Sequence, residues 1–177
     1  MDLEKLKYPI GALSASQHTD SSLISGWIED IATFPAQLRE AVEDLNHDQL
    51  SWPYRPDGWT IRQVVHHCAD SHMNALIRFK LALTEDRPTI KPYEEAKWAL
   101  LPDMETDLQP SLMMLDGLHN RWAILLNSLS SDQLKLQYYH PEHQKHFDLQ
   151  YTIYMYSWHC RHHLAHVHQA AAYEGKF

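Results

Sequence analysis

The stretch "WHCRHHLAHV", residues 158–167, carries His159, His162, His163 and His166. These positions recur at i, i+3, i+4 and i+7, so on an α-helix all four share one side. That side of a bundle helix ordinarily holds Leu, Ile and Val. Working outward, Asp148 is a plausible N-cap for this helix, and Gly175 marks its end. Upstream, Thr60 and Gln63 form a capping box, which opens a helix running to about Thr84. Its apolar face holds Ile61, Val65, Cys68, His72, Ala75, Leu76 and Phe79. Another helix is expected from near Pro110 to Leu129, with Leu112, Leu115, Leu118, Trp122 and Leu125 on one side. An earlier one is expected after a cap at Ser21 or Ser22, through Ile28, Ile31, Leu38, Val42 and Leu45, with Pro35 kinking or splitting it.

Four amphipathic helices imply an all-α fold, a four-helix bundle with long connecting loops. The segments "SWPYRPDGW" and "RPTIKPYEEAKW" are Pro-containing loops, the second with one short helical turn, and "YYHPEHQKHF" reads as a hairpin-like connection. Loops of this length argue against an up-down-up-down bundle with tight turns, and could enclose a pocket at one end. The expected organisation is one domain over residues 1–177, with an extended arm over 1–20 and the bundle over 21–177.

The bulk composition narrows the function classes. The net charge is -8 with neutral His, so nucleic acid is not an expected partner, because phosphate binding needs a basic face. Two cysteines, Cys68 and Cys160, do not form a disulfide framework. No apolar run approaches a membrane span and no secretory leader is evident, so a cytoplasmic protein is expected. Histidine is the outlier: 14 residues of 177.

Imidazole is a common ligand for Zn, Ni, Cu and Fe. Either His159 with His163 or His162 with His166 can aim two nitrogens at one ion, being four apart on a helix. A third ligand must come from another helix, and "VVHHCADSH" offers His66, His67 and His72. Periodicity does not choose among them. The loop histidines His140, His143 and His146 form a weaker alternative cluster. His67 lies in line with Ser71, Asn74 and Arg78, either a solvated face or the border of a pocket.

Several stretches resemble the YfiT branch of the DinB-like superfamily: "YPIG", "PYRPDGWTIRQVVHHCADSHMNALIRFKLALTED", "RPTIKPYEEAKW", "YYHPEH" and "WHCRHHLAHV". The resemblance covers nearly the whole chain. It implies a four-helix bundle that binds one divalent metal through His67, His159 and His163; three imidazoles with water suit Zn, and Ni nearly as well. It also implies a homodimer. The broader superfamily often places Arg-Gly-Gln after the last ligand. Here Leu164–His166 takes that place, which weakens transfer of function from distant relatives.

Three neutral imidazoles leave a divalent ion with open coordination positions, the pattern of a catalytic rather than a structural site. The expected activity is therefore metal-dependent hydrolysis of a small-molecule substrate. One alternative is transfer of a low-molecular-weight thiol of the bacillithiol type. Another is a non-catalytic metal-binding stress protein. No residue stands out as the catalytic base. Asp70, His162 and His166, with His66 and His72, could orient a ligand or a water or accept protons. Asn74 and Arg78 could hold an anionic substrate. Proton competition for imidazole puts metal release below about pH 6.

Overall fold

The computed structural model describes residues 2–14 and 20–177. Its long helices are α2 (Ile24–Val42), α3 (Ile61–Thr84), α5 (Gln109–Asn127) and α6 (Leu149–Ala172), with short helices α1 (Leu3–Lys7) and α4 (Glu95–Trp98) between them. Strands β1 (Gln137–His140) and β2 (Lys145–Asp148) pair antiparallel with Tyr138 opposite Phe147, so the hairpin-like connection before α6 is a true hairpin. The described helices include none long and apolar enough to cross a membrane.

α2 packs on α5 and α6, and α3 packs on the same two helices from the other side. Around the bundle the order is therefore α2, α5, α3, α6. Neighbours in sequence, α2 with α3 and α5 with α6, stand across from each other. That arrangement needs long connections, and it sets α3 and α6 side by side. Ile31, Phe34, Leu38, Val65, Phe79, Leu115, Trp122 and Ile153 are all at 0% exposure where the four helices meet. Each such side chain contributes roughly 1.5–3 kcal/mol by leaving water.

The helix ends follow local chemistry. Thr60 accepts from the Gln63 amide at 3.2 Å, and the Gln63 side chain returns a bond to the Thr60 amide. Asp148 accepts from the Tyr151 amide at 2.6 Å and starts α6. Gly175, at φ +66°, donates to the Ala170 carbonyl; a Cβ there would stand 2.9 Å from Pro53.

Three expectations need correction. The N-cap position of α2 falls on Leu23 rather than on Ser21 or Ser22. A 3-10 turn over Ser21–Leu23 precedes the helix, and Asp20 accepts from the Ser22 amide and hydroxyl. Pro35 does not split α2, which runs unbroken to Val42. Proline has no N–H, so the Ile31 carbonyl loses its helical donor, and the His119 ring takes that place at 2.6 Å. The arm over 1–20 is not wholly extended. Asp2 caps the amide of Glu4, and α1 forms; residues 15–19 of that arm lie outside the described residues. The last carbonyls of a helix have no partner within it. Those of Leu6 and Lys7 accept from Gln169 and His166, so α1 docks on α6.

Candidate metal centre

α6 carries His159 and His163 one turn apart, and α3 brings His67 to face them. One nitrogen from each ring lies within 4.8 Å of the others, the one grouping of this kind among the described residues. The Nε2 atoms of His67 and His159 are 3.4 Å apart. His67 and His163 are buried, at 4% and 7% exposure, and His159 is half-buried. Burial holds His67 down at about 4, with the His162 ring adding to the effect. Burial and then the neighbouring imidazoles push His159 and His163 well below the ordinary value. All three are therefore neutral near pH 7.

Two hydrogen-bond chains fix which nitrogen of each α6 ring carries the proton. The Ile31 carbonyl can only accept, so His119 Nδ1 donates to it. His119 Nε2 is then the acceptor for His72 Nδ1 at 2.7 Å, and His72 Nε2 the acceptor for His159 Nδ1 at 3.0 Å. His159 Nε2 is left as a bare lone pair. Behind His163, His166 Nε2 donates to the Lys7 carbonyl at 3.1 Å. Its Nδ1 then accepts from His163 Nδ1 at 3.4 Å, which frees His163 Nε2. These tautomers are assigned from the network, each step following from the carbonyl that ends it.

This donor set fits a divalent transition metal. The His159 Nε2 lone pair faces His67 Nε2 at 3.4 Å, and with His163 Nε2 also freed, three uncharged imidazoles turn their donor atoms toward a common point. His67, His159 and His163 would hold such an ion. Removing the far end of the longer chain tests its function. His119→Phe keeps a ring against Phe34 but leaves His72 Nδ1 without an acceptor. We expect metal affinity to fall roughly 10–100-fold, read by competition with a chromophoric chelator. Unchanged affinity would show that the chain has no hold on His159.

The remaining expected residues divide clearly. His166 is one ring behind His163 and stacks on Tyr54, centroids 3.7 Å apart. His162 stacks on Trp158 at 4.2 Å, and its buried Nδ1 has no partner. Asp70 makes no hydrogen bond to the three histidines; burial and Asp103 raise its carboxyl to about 6. Asn74 turns back to the Asp70 carbonyl at 2.9 Å and does not face the centre. His66 is held by Ser111 Oγ at 2.7 Å. His140 and His143 are paired, but His146 packs on Tyr139, so the loop histidines do not converge. Cys160 is buried and its thiol is pushed well up, which removes it as a nucleophile.

Two cavities meet at His159. One, about 380 Å³, is walled by Tyr8, Tyr54, Trp59 and Trp158 around the three histidines. The other, about 520 Å³, reaches Ser71, Arg78, His140 and Tyr156. Glu95 of α4 borders both. Sequence reasoning gave no role to His119 or Glu95. The signal for His119 was available: a proline four residues after Ile31 leaves a carbonyl in the core that needs a donor.

Residues 31–167, which span α2 to α6, match the DinB superfamily. The chain belongs to that superfamily. Relatives among known proteins are similar over nearly their whole length. A Bacillus cereus (strain B4264) protein named "Putative metal-dependent hydrolase" is 50% identical over 165 residues, 93% of this chain and 95% of its own. A namesake from Bacillus thuringiensis subsp. konkukian is 49% identical over the same lengths. The solved structure of YfiT from Bacillus subtilis is described as "a probable metal-dependent hydrolase with an unusual four-helix bundle topology". It superposes with a TM-score of 0.92 at 44% identity, covering 97% of this chain and 98% of that one. The bundle topology of that solved structure is itself called unusual.

Proposed function

We propose that this DinB-superfamily chain is a metal-dependent hydrolase acting on a small molecule, with His67, His159 and His163 holding one Zn or Ni ion. The observation that carries this reading is the convergence of three neutral imidazoles, within 4.8 Å, at the meeting of two cavities. When bound, such an ion supplies Lewis acidity, lowering the pKa of water and polarising an acyl or phosphoryl oxygen. The rest is work for the chain's own residues. His72 and His166 hold the ligand rings in one tautomer. The aromatic walls exclude bulk water, and Glu95, bordering both cavities, is a carboxylate that can receive a proton from an incoming nucleophile.

Two cavities sharing one wall also favour a second reading, transfer of a small thiol to an electrophile held in the other cavity. One assay separates the readings. Metal-loaded protein is offered ester, amide and phosphoester panels in heavy-oxygen water, with and without a small thiol. Hydrolysis requires turnover without thiol and heavy oxygen in the product. Turnover that needs the thiol and leaves its sulfur in the product would replace hydrolysis with transfer. A chelator-treated sample is expected to lose all turnover.

A further inference from the structure

Arg78 is 9% exposed, yet among the described residues it makes no ion pair and no hydrogen bond. The other inward-turned or braced arginines all have partners. Arg62, at 5% exposure, donates to the Thr106 carbonyl. Arg39 pairs with Asp116, and Arg161 with Asp30. An unpaired charge removed from water is costly, by several kcal/mol in a dry interior. A guanidinium offers five donors in a planar fork that matches carboxylate or phosphate. None of its nitrogens is sealed away without a partner, so the fork opens to the 520 Å³ cavity that Arg78 lines.

The same wall has further unmet capacity. His140 is buried, and its Nδ1 has no hydrogen-bond partner. The Ser71 and Tyr156 hydroxyls, 3.4 Å apart, stand on the cavity between Arg78 and the metal centre. The cavity volume suits a small organic molecule. Of the acids at the mouth, Glu94 is occupied by Lys97 at 2.5 Å. Among the described residues Glu95 and Glu142 carry no ion pair, and on this cavity they would repel a second negative charge.

We propose that the larger cavity binds the single anionic group of a small organic substrate, a carboxylate or phosphate, with Arg78 as its receptor. The anion is thereby set deep in the cavity and the rest of the molecule extends toward His159. The inference rests on the metal-hydrolase reading only for where the reacting bond lies; the anion contact is independent of the ion.

The test is therefore run on metal-free full-length protein. N-acetylglycine, methyl phosphate and the neutral N-acetylglycinamide are titrated by calorimetry. At least one of the two anions is expected to bind tenfold or more tightly than the neutral probe; which one identifies the group. Arg78→Met should erase that preference, and Arg78→Lys should keep part of it as a point charge. Because the free protein bears an unpaired cation, Arg78→Met should also melt at or above the wild-type temperature. Equal binding of neutral and anionic probes by the wild type would overturn the proposal. So would anion binding that survives Arg78→Met, or a lowered melting temperature in that variant, which marks a structural arginine. None of these outcomes bears on metal content, so failure here and failure of the metal centre are separately visible.

Discussion

His163→Ala is expected to yield a folded protein that retains almost no metal after dialysis. Two imidazoles on two helices would remain, with the third position opened to water. The loss should exceed the roughly 10–100-fold that follows when only an outer hydrogen-bond partner of a ligand is removed. Helical circular dichroism should change little. The buried residues of α6 that carry its packing, Leu149, Ile153, Val167 and Ala170, are untouched. Elemental mass spectrometry of the dialysed variant decides the matter. Full occupancy would show that the ion is held elsewhere.

The second large effect is on acid stability. Unfolded imidazoles titrate near 6.5, whereas burial holds His67 and His119 at about 4 in the folded chain. Between those values the unfolded state binds more protons, so stability rises with pH and falls as acid is added. The contribution is fully present above about pH 6.5 and is lost on the way down to about 4. Each of the two is worth roughly 3 kcal/mol across that window, and a whole domain commonly has about 5–15 kcal/mol to lose. His72 moves in the same direction, from burial and then from its imidazole neighbours. Metal-free protein should therefore unfold cooperatively between neutral pH and about 4, as followed by tryptophan fluorescence. An ion bound only to the folded state should shift that midpoint to lower pH. Metal release then coincides with unfolding and falls below the pH 6 of an ordinary imidazole. A metal-free melting temperature that stays level from pH 7 to pH 4.5 would contradict this account.

The helices were legible because their signals are local. Thr60 with Gln63 and Asp148 with Tyr151 are caps written within four residues, and α3 and α6 begin where those caps stand. The convergence of His67 with His159 and His163 was not readable from periodicity, which left His66, His72 and the other α6 pair equally open. It depends on the crossed helix order, a property of long connections that no short window records. The resemblance to the YfiT branch supplied that choice, and the geometry brings the same three rings together. Asn74 and Arg78 share a line on α3, yet one folds back on its own helix while the other faces the cavity. Spacing cannot separate them, because the difference lies in what packs opposite. The arm was misjudged for a related reason: α1 is too short to announce itself, and its docking rests on α6 side chains more than a hundred positions away.

Pro35 lies on a helix that lends no side chain to the three-histidine cluster, yet it determines what the nearest carbonyl can do, and three rings in series carry that consequence to His159. Inheritance of a defect at position 35 would thus look, in an unbiased screen for metal-poor variants, like damage to the centre itself. A map of sensitive positions drawn around the ligands alone would leave out the far side of the bundle, where the orientation of the innermost lone pair is anchored.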